Sequence, residues 1–276
     1  MKRILTIGDV HGCLKSLETM LDYVQPMQDD LVVTLGDYVD RGPDSRGVIA
    51  RLLELKKTHD YIHLMGNHEI QMIRALEAPH HKERFLSAMC GGRDTLANYG
   101  GSFDRIPEDH WEFITSAQLY HETDTHILVH AGVDADLPLD QQNPETLYYQ
   151  RFYEAQPHAS GKTVVCGHTI QGDLPTHSGH AICLDTCAYG GGWLTCLDTL
   201  SGEYWQTNEK GQKLGATSVR GVVDENGIHF ENDLLRFDDV YDILQEKNLL
   251  IFVLYKGLPV GRTITDHILR GTNTLV

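Results

Sequence analysis

This 276-residue sequence predicts an α/β fold built on a parallel sheet. Apolar runs of strand length recur at Arg3–Ile7, Leu31–Leu35 and Tyr61–Met65. Each run ends in a charged loop containing glycine, and each loop leads into a stretch whose apolar residues have helical spacing. The order strand, loop, helix, repeated, gives βαβαβ. Its crossovers make neighbouring strands parallel, so the three loops share the C-terminal edge of the sheet, where such folds bind ligands.

Taken in order, the first strand ends in Gly8-Asp9-Val10-His11-Gly12. Leu14, Leu17, Leu21 and Val24 then fall on one helical face, and Pro26 stops that helix. Leu31–Leu35 is a continuous apolar run of the kind buried on both faces, and it delivers Gly36-Asp37-Tyr38-Val39-Asp40-Arg41-Gly42. Val48, Ile49, Leu52, Leu53 and Leu55 mark a helix from Ser45. The third strand ends in Gly66-Asn67-His68-Glu69 and precedes a helix over Ile70–Leu76. The stretch Pro79–Ile114 is polar and broken by Gly91-Gly92 and Gly100-Gly101, which predicts a helical insertion over one side of the loops. Leu119–His121 and His126–Val129 read as a hairpin that runs into His130-Ala131-Gly132. Pro144–Tyr153 reads as a helix carrying Arg151, and Thr163–Cys166 as a strand ending in Gly167-His168-Thr169. Ala181–Leu184, Trp193–Asp198 and Glu203–Thr207 read as alternating antiparallel strands. The polar stretch Asn208–Ala216 is a candidate boundary, giving a domain over 1–210 and a small α+β extension over 211–276. In the extension a hairpin across Asp224–Gly227, a helix over Phe237–Leu244 and a strand over Leu249–Tyr255 are expected.

Bulk properties narrow the function. A net charge of −16 argues against a nucleic-acid backbone as partner. An acidic protein that handles phosphate needs metals or arginines to offset its own field. The six cysteines form no Cys-x-x-Cys pair and several lie in apolar runs, which predicts buried, reduced thiols of a cytoplasmic protein. The apolar run behind Lys2-Arg3 stops at Gly8-Asp9, too soon for a signal peptide, and no apolar stretch has membrane-spanning length.

Asp9, His11, Asp37, Asn67, His130 and His168 each stand at a predicted strand end beside glycine. Carboxylate, imidazole and amide oxygen together suit a borderline divalent ion such as manganese, iron or zinc. Six candidates exceed the needs of one four-coordinate ion, and two ions sharing Asp37 would use them all. A pair of ions about 3.5–4 Å apart can clamp a phosphate and activate water for in-line attack at phosphorus. Arginine then stabilises the spreading charge, and a positioned acid protonates the leaving oxygen. His68, next to Asn67, can serve as that acid. Asp40 can accept its hydrogen bond, and Glu69 can anchor the loops.

In this order the five motifs resemble the signature of the phosphoprotein phosphatase family, the metal-dependent serine/threonine protein phosphatases with their bacterial and phage relatives. The resemblance spans residues 2–207. It implies a calcineurin-like metallophosphoesterase fold, a four-layer α/β/β/α sandwich of two mixed sheets. It implies two divalent ions, manganese foremost, the first held by Asp9, His11 and Asp37 and the second by Asp37, Asn67, His130 and His168. It makes His68 the general acid oriented by Asp40, and Arg41 a phosphate ligand. Arg151 stands where relatives carry a second phosphate-binding arginine shortly after a tryptophan, although here Tyr148 and Tyr149 occupy that place.

The expected substrate is therefore a phosphorylated protein or peptide, on serine or threonine with tyrosine also open. Neither nucleic acid nor membrane is an expected partner. Hydrolysis of dinucleoside tetraphosphates is the alternative. That branch usually lacks the second aspartate and carries aspartate after the asparagine-histidine pair, whereas Asp40 and Glu69 follow the protein-phosphatase pattern. A non-catalytic phosphoprotein-binding scaffold fits less well, because every candidate ligand and the acid are kept. The remaining histidines read as packing or surface residues.

Overall fold

The computed structural model describes residues 2–216, 219–224, 227–230, 251–255 and 258–259. Strands β1 (Ile4–Ile7), β2 (Leu31–Thr34) and β3 (Asp60–His63) pair in parallel, as βαβαβ requires. Helices α1 (Leu14–Val24) and α2 (Ser45–Thr58) make the crossovers. α1 buries Leu17, Met20, Leu21 and Val24 and ends at Gln25 in a left-handed conformation just before Pro26. α2 begins where the Asp44 side chain accepts the Gly47 N–H at 2.7 Å and ends with Lys56 and Lys57 in its last turn.

The first sheet continues through β9 (Leu194–Asp198), β10 (Tyr204–Thr207) and β11 (Lys213–Ala216) in the order β11-β10-β9-β1-β2-β3. β9 pairs antiparallel with β1, so the sheet is mixed. A second sheet is made of β4 (Tyr120–Glu122), β5 (His126–Val129), β6 (Thr163–Cys166), β7 (Thr176–His177) and β8 (Ala181–Cys183), ordered β4-β5-β6-β8-β7. Successive residues of a strand face opposite ways, and the cores follow that alternation. Val33, Leu35, Leu128 and Val165 meet between the two sheets. Val32 packs with α1 and α2 on one outer side, while Ile127, Val129 and Val164 pack with Leu147 and Phe152 on the other. Two sheets between two outer layers make the α/β/β/α sandwich.

The insertion is helical as expected: α3 (Asn67–Arg74) leads into α4 (Pro79–Phe85), α5 (Gly92–Asn98) and α6 (Glu108–Thr115). The hairpin expected at Thr123-Asp124 forms between β4 and β5. Other expectations need correction. The helix read over Pro144–Tyr153 is α7 (Pro144–Tyr149) only. Gln150 leaves the helical region and Arg151 is extended, because the Phe152 N–H turns to meet Thr169 Oγ1 at 3.0 Å, and a 3-10 turn follows at Phe152–Glu154. Arg151 thus stands between helices rather than on one. Ala181–Cys183 is not antiparallel to the strands after it; it lies in the second sheet, parallel to β6. β11 pairs with β10, so the first sheet continues past residue 210.

Beyond it, β12 (Val219–Asp224) and β13 (Gly227–Phe230) form the expected hairpin, and β12 pairs in parallel with β14 (Ile251–Tyr255). The helix expected at Phe237–Leu244 lies outside the described residues. Among the described residues no helix is long and apolar enough to cross a membrane. All six cysteines are free thiols.

Candidate metal centre

The loops leaving β1, β2 and β3 meet those leaving β5 and β6, and their polar residues are buried together. Asp9, His11, Asp37, Asn67 and His130 are all at most 6% exposed. The ligand atoms of His11, Asp37 and His68 lie within 4.8 Å of one another, as do those of Asp37, His130 and His168. Asp37 belongs to both groups: its Oδ2 is 3.4 Å from His11 Nε2, and its Oδ1 is 3.5 Å from His130 Nε2.

The backbone there is unusual. His11, Asp37, Asp40, Arg41 and His168 all have φ between 44° and 72°, a region that disfavours side chains other than glycine. Glu69 offsets part of that cost. Its buried carboxylate accepts the N–H groups of Asp37, Tyr38, Val39 and Gly66 at 2.8–3.2 Å, tying the β2 and β3 loops together. Burial, then the charge of Asp37, push its carboxyl up to about 8, and the amides of Asp37 and Tyr38 pull the other way. Gly66 must be glycine, since a Cβ would overlap Asp37 Oδ1.

Hydrogen bonding sets which imidazole nitrogens carry no proton. His11 Nδ1–H donates to Val39 O and His130 Nδ1–H to Leu35 O, each at 2.9 Å. Both Nε2 atoms therefore carry lone pairs. Yet His130 Nε2 faces Asn67 Oδ1 at 2.9 Å, an acceptor facing an acceptor. His168 Nδ1 approaches the same oxygen at 2.8 Å. Asp9 accepts the His168 N–H on Oδ2, while its buried Oδ1 and His168 Nε2 have no hydrogen-bond partner.

Electrostatics agree. Burial holds His11 and His168 down to about 3 and lowers His130, so all three stay neutral, the form that binds metal. Burial, followed by the charges of Asp185 and Asp37, raises Asp9 well above the carboxylate range. Burial would raise Asp37 too, but the positive charge of His68 and the His68 backbone N–H hold it below that range. Crowded carboxylates, bare imidazole lone pairs and an amide oxygen with too few protons among them are a donor set that a divalent cation satisfies. The residues present fit such ions.

The acid and arginine candidates flank this cluster. His68 Nδ1–H donates to Asp40 Oδ2 at 2.7 Å, with both side chains at most 2% exposed. The His68 ring meets that of His11 edge-on at 4.6 Å. The Arg41 guanidinium donates to His11 Nε2 at 3.1 Å. Arg151 is exposed, near enough to His168 for its charge to help depress that imidazole.

Four neighbours escaped the sequence reading. The Tyr189 ring lies 4.8 Å under the Arg41 guanidinium and edge-on to His11 at 5.0 Å. It is presented by a 3-10 turn at Ala188–Gly190, so the run Gly190-Gly191-Gly192 directly follows a residue that touches the site. Asp185 is buried and accepts the Cys187 N–H at 3.0 Å. Thr95 and Cys90, from the insertion, both reach Asp40. Nothing in the pattern around a lone threonine or cysteine signals such a role. The other histidines behave as packing residues where their contacts are seen: His63 Nε2–H donates to Phe113 O, and His110 bonds the Tyr99 hydroxyl.

The chain is similar to several known proteins. The symmetrical bis(5'-nucleosyl)-tetraphosphatase of Nitrosospira multiformis is 28% identical over 139 residues, 50% of this chain and 46% of that protein. Serine/threonine-protein phosphatase 1 of Salmonella typhimurium is 40% identical over 92 residues, 33% of this chain and 39% of that protein. The chain thus spans less than half the length of either relative. Among solved structures, the cold-active protein-tyrosine phosphatase of a psychrophilic Shewanella superposes with a TM-score of 0.56 at 16% identity, covering 77% of this chain and 80% of that one, a likeness of fold. The family model of the calcineurin-like phosphoesterases matches residues 2–172, more than half of the chain and all the strand-end loops; the chain belongs to that family.

Proposed function

We propose that the chain is a phosphomonoesterase acting on phosphoserine and phosphothreonine in proteins. The observation that carries this reading is the buried His68–Asp40 pair at 2.7 Å. A serine or threonine alkoxide is a strongly basic leaving group and needs a proton in the transition state. A phosphate leaving an anhydride is a much weaker base and needs the proton less. A dedicated, desolvated acid pair therefore suits phosphoesters.

Asp9, His11 and Asp37 would hold one divalent ion, and Asp37, Asn67, His130 and His168 the other. When bound, such ions supply Lewis acidity toward phosphoryl oxygens and lower the pKa of water. The rest is the work of side chains. Burial alone would strip the proton from His68, but Asp37 and then the Asp40 hydrogen bond reverse this and raise its pKa. Asp40 holds Nδ1–H, which leaves Nε2–H to protonate the departing oxygen. Arg41 offers a planar pair of donors to phosphate oxygens, and Tyr189 limits its swing. Manganese, iron or zinc suits the mixed O/N donors.

Dinucleoside tetraphosphate hydrolysis is the second reading, favoured by the longer stretch matched in the tetraphosphatase. Turnover of a phosphoserine and phosphothreonine peptide panel beside diadenosine tetraphosphate, by metal-stripped protein given manganese, separates the two. Higher kcat/KM for peptides is expected; preference for the tetraphosphate would overturn the proposal.

A further inference from the structure

We propose that Thr95, in the insertion, is a positioning residue for the acid step: its hydroxyl fixes the Asp40 carboxylate in the orientation that holds His68. The inference rests on the reading of His68 as general acid. Thr95 Oγ1–H donates to Asp40 Oδ1 at 2.6 Å, and the same oxygen accepts the Asp40 N–H at 2.8 Å. Ser45 Oγ joins them, 3.1 Å from both Asp40 N and Thr95 Oγ1. The three residues are wholly buried. The donors and acceptors balance: the threonine hydroxyl gives its one proton to the carboxylate and receives the amide and Ser45 on its lone pairs.

This clamp acts on a strained place. Asp40 and Arg41 have successive φ values of 72° and 69° without being glycine. A single threonine side chain grips both the amide and the carboxylate of Asp40, so main chain and side chain are fixed together. Gly91 lets the insertion press against the next residue, because a Cβ there would stand 2.8 Å from Arg41 N. The other carboxylate oxygen, Oδ2, takes His68 Nδ1–H and the weak Cys90 Sγ–H donor at 3.4 Å. Without the Thr95 hydroxyl, Oδ1 becomes a buried charged acceptor with no strong donor. The carboxylate then rotates toward Cys90 and Ser45, and His68 loses its fixed partner.

Thr95→Val, nearly isosteric but without the hydroxyl, tests this beside Thr95→Ser, which keeps it. With manganese-loaded enzyme, kcat on a phosphoserine peptide should fall roughly 10–100-fold in the valine variant, a partial loss that reaches at most the lower end of the roughly 10²–10⁴-fold that general acid catalysis contributes. KM should hold, and p-nitrophenyl phosphate, with its good leaving group, should lose only about 2–3-fold, since proton donation matters less there. Serine should restore the wild-type pattern. Independently of turnover, the downfield Nδ1–H proton resonance of His68, assigned by its loss in His68→Asn, should persist in the serine variant and shift or vanish in the valine variant. Should valine prevent folding, Thr95→Cys places a weaker donor at the same point and should weaken the same resonance. A folded valine or cysteine variant with the wild-type resonance would overturn the proposal. A wild-type enzyme inert toward both esters would instead defeat the phosphatase reading, leaving the resonance to decide the role of Thr95.

Discussion

The two oxygens of Asp37 look out on differently built surroundings. On the Oδ2 side, His11, His68 and Asp40 are almost entirely buried, and Tyr189, Cys90 and Thr95 close around them. On the Oδ1 side, His130 and His168 adjoin Tyr149, whose ring meets His168 edge-on at 6.1 Å. Tyr149 also lines a cleft of about 580 Å³ with Asp134, Asp136, Glu145, Gln150 and Glu154 among its walls. The closed side has its hydrogen bonds made in advance, as the proposed acid and phosphate anchor would require. On the other side His130 is wholly buried too and only His168 is partly exposed, but that side adjoins the cleft, which on the proposed reading takes the bulk of a substrate. The division implies that changes on the closed side act on turnover, and that changes to the ion ligands act on both sides at once.

The largest effect should therefore come from the shared residue. Asp37→Asn should reduce metal-dependent hydrolysis of an aryl phosphate to background and lower bound metal in elemental analysis; substantial activity with full metal content would break the idea of one carboxylate serving two ions. Next, His68→Asn should lower kcat on phosphoserine peptides by roughly 10²–10⁴-fold while metal content stays constant. The loss should shrink as the leaving group improves, and a uniform loss would remove the acid role. Smaller still, Tyr189→Leu removes the ring under Arg41. A contact of that kind at a partly exposed site contributes about 0.5–1 kcal/mol, so a rise in KM of about 2–5-fold with kcat held is expected. A fall in kcat alone would instead place Tyr189 with the acid pair.

The smallest effect concerns stability away from the centre. His63 is stacked between Tyr61 and Phe113, and burial lowers its pKa to about 4. The unfolded chain, with an ordinary histidine pKa near 6.5, binds this proton first as pH falls. The stabilising contribution is thus fully present above about pH 6.5 and is lost between there and about pH 4. His63→Gln should flatten the fall of Tm with pH across that window; an unchanged slope would assign the acid sensitivity elsewhere.

Much of the frame could be read from residues alone, for a physical reason. A strand buried on both faces must be continuously apolar, and a loop carrying Asp37, Asp40 and Arg41 straight after Leu35 stands out against it. The same contrast exposed His130 after Val129 and His168 after Cys166. What stayed hidden depends on pairing across long separations. Nothing local to Ala181–Cys183 says that it lies beside β6 in parallel, or that β9 closes on β1. The sequence places Arg151 in a helix because Pro144–Tyr149 begins one, while the Phe152 N–H bond to Thr169 that ends it comes from a distant loop. Thr95 and Cys90 were invisible because their function lies in what they touch, 55 and 50 residues away from Asp40 in the chain.

The grip of Glu69 on four amides has a consequence for how the centre is filled. The loops it ties belong to two different strands, and the carboxylate that ties them lies outside the set of candidate metal ligands. An arriving ion consequently meets a cage whose walls are already in register, and does not have to organise the loops by its own binding. Exchange of one divalent ion for another should then follow ligand chemistry, reversibly and without passage through a partly unfolded loop. The choice of metal in a given cell becomes a matter of supply as much as of architecture.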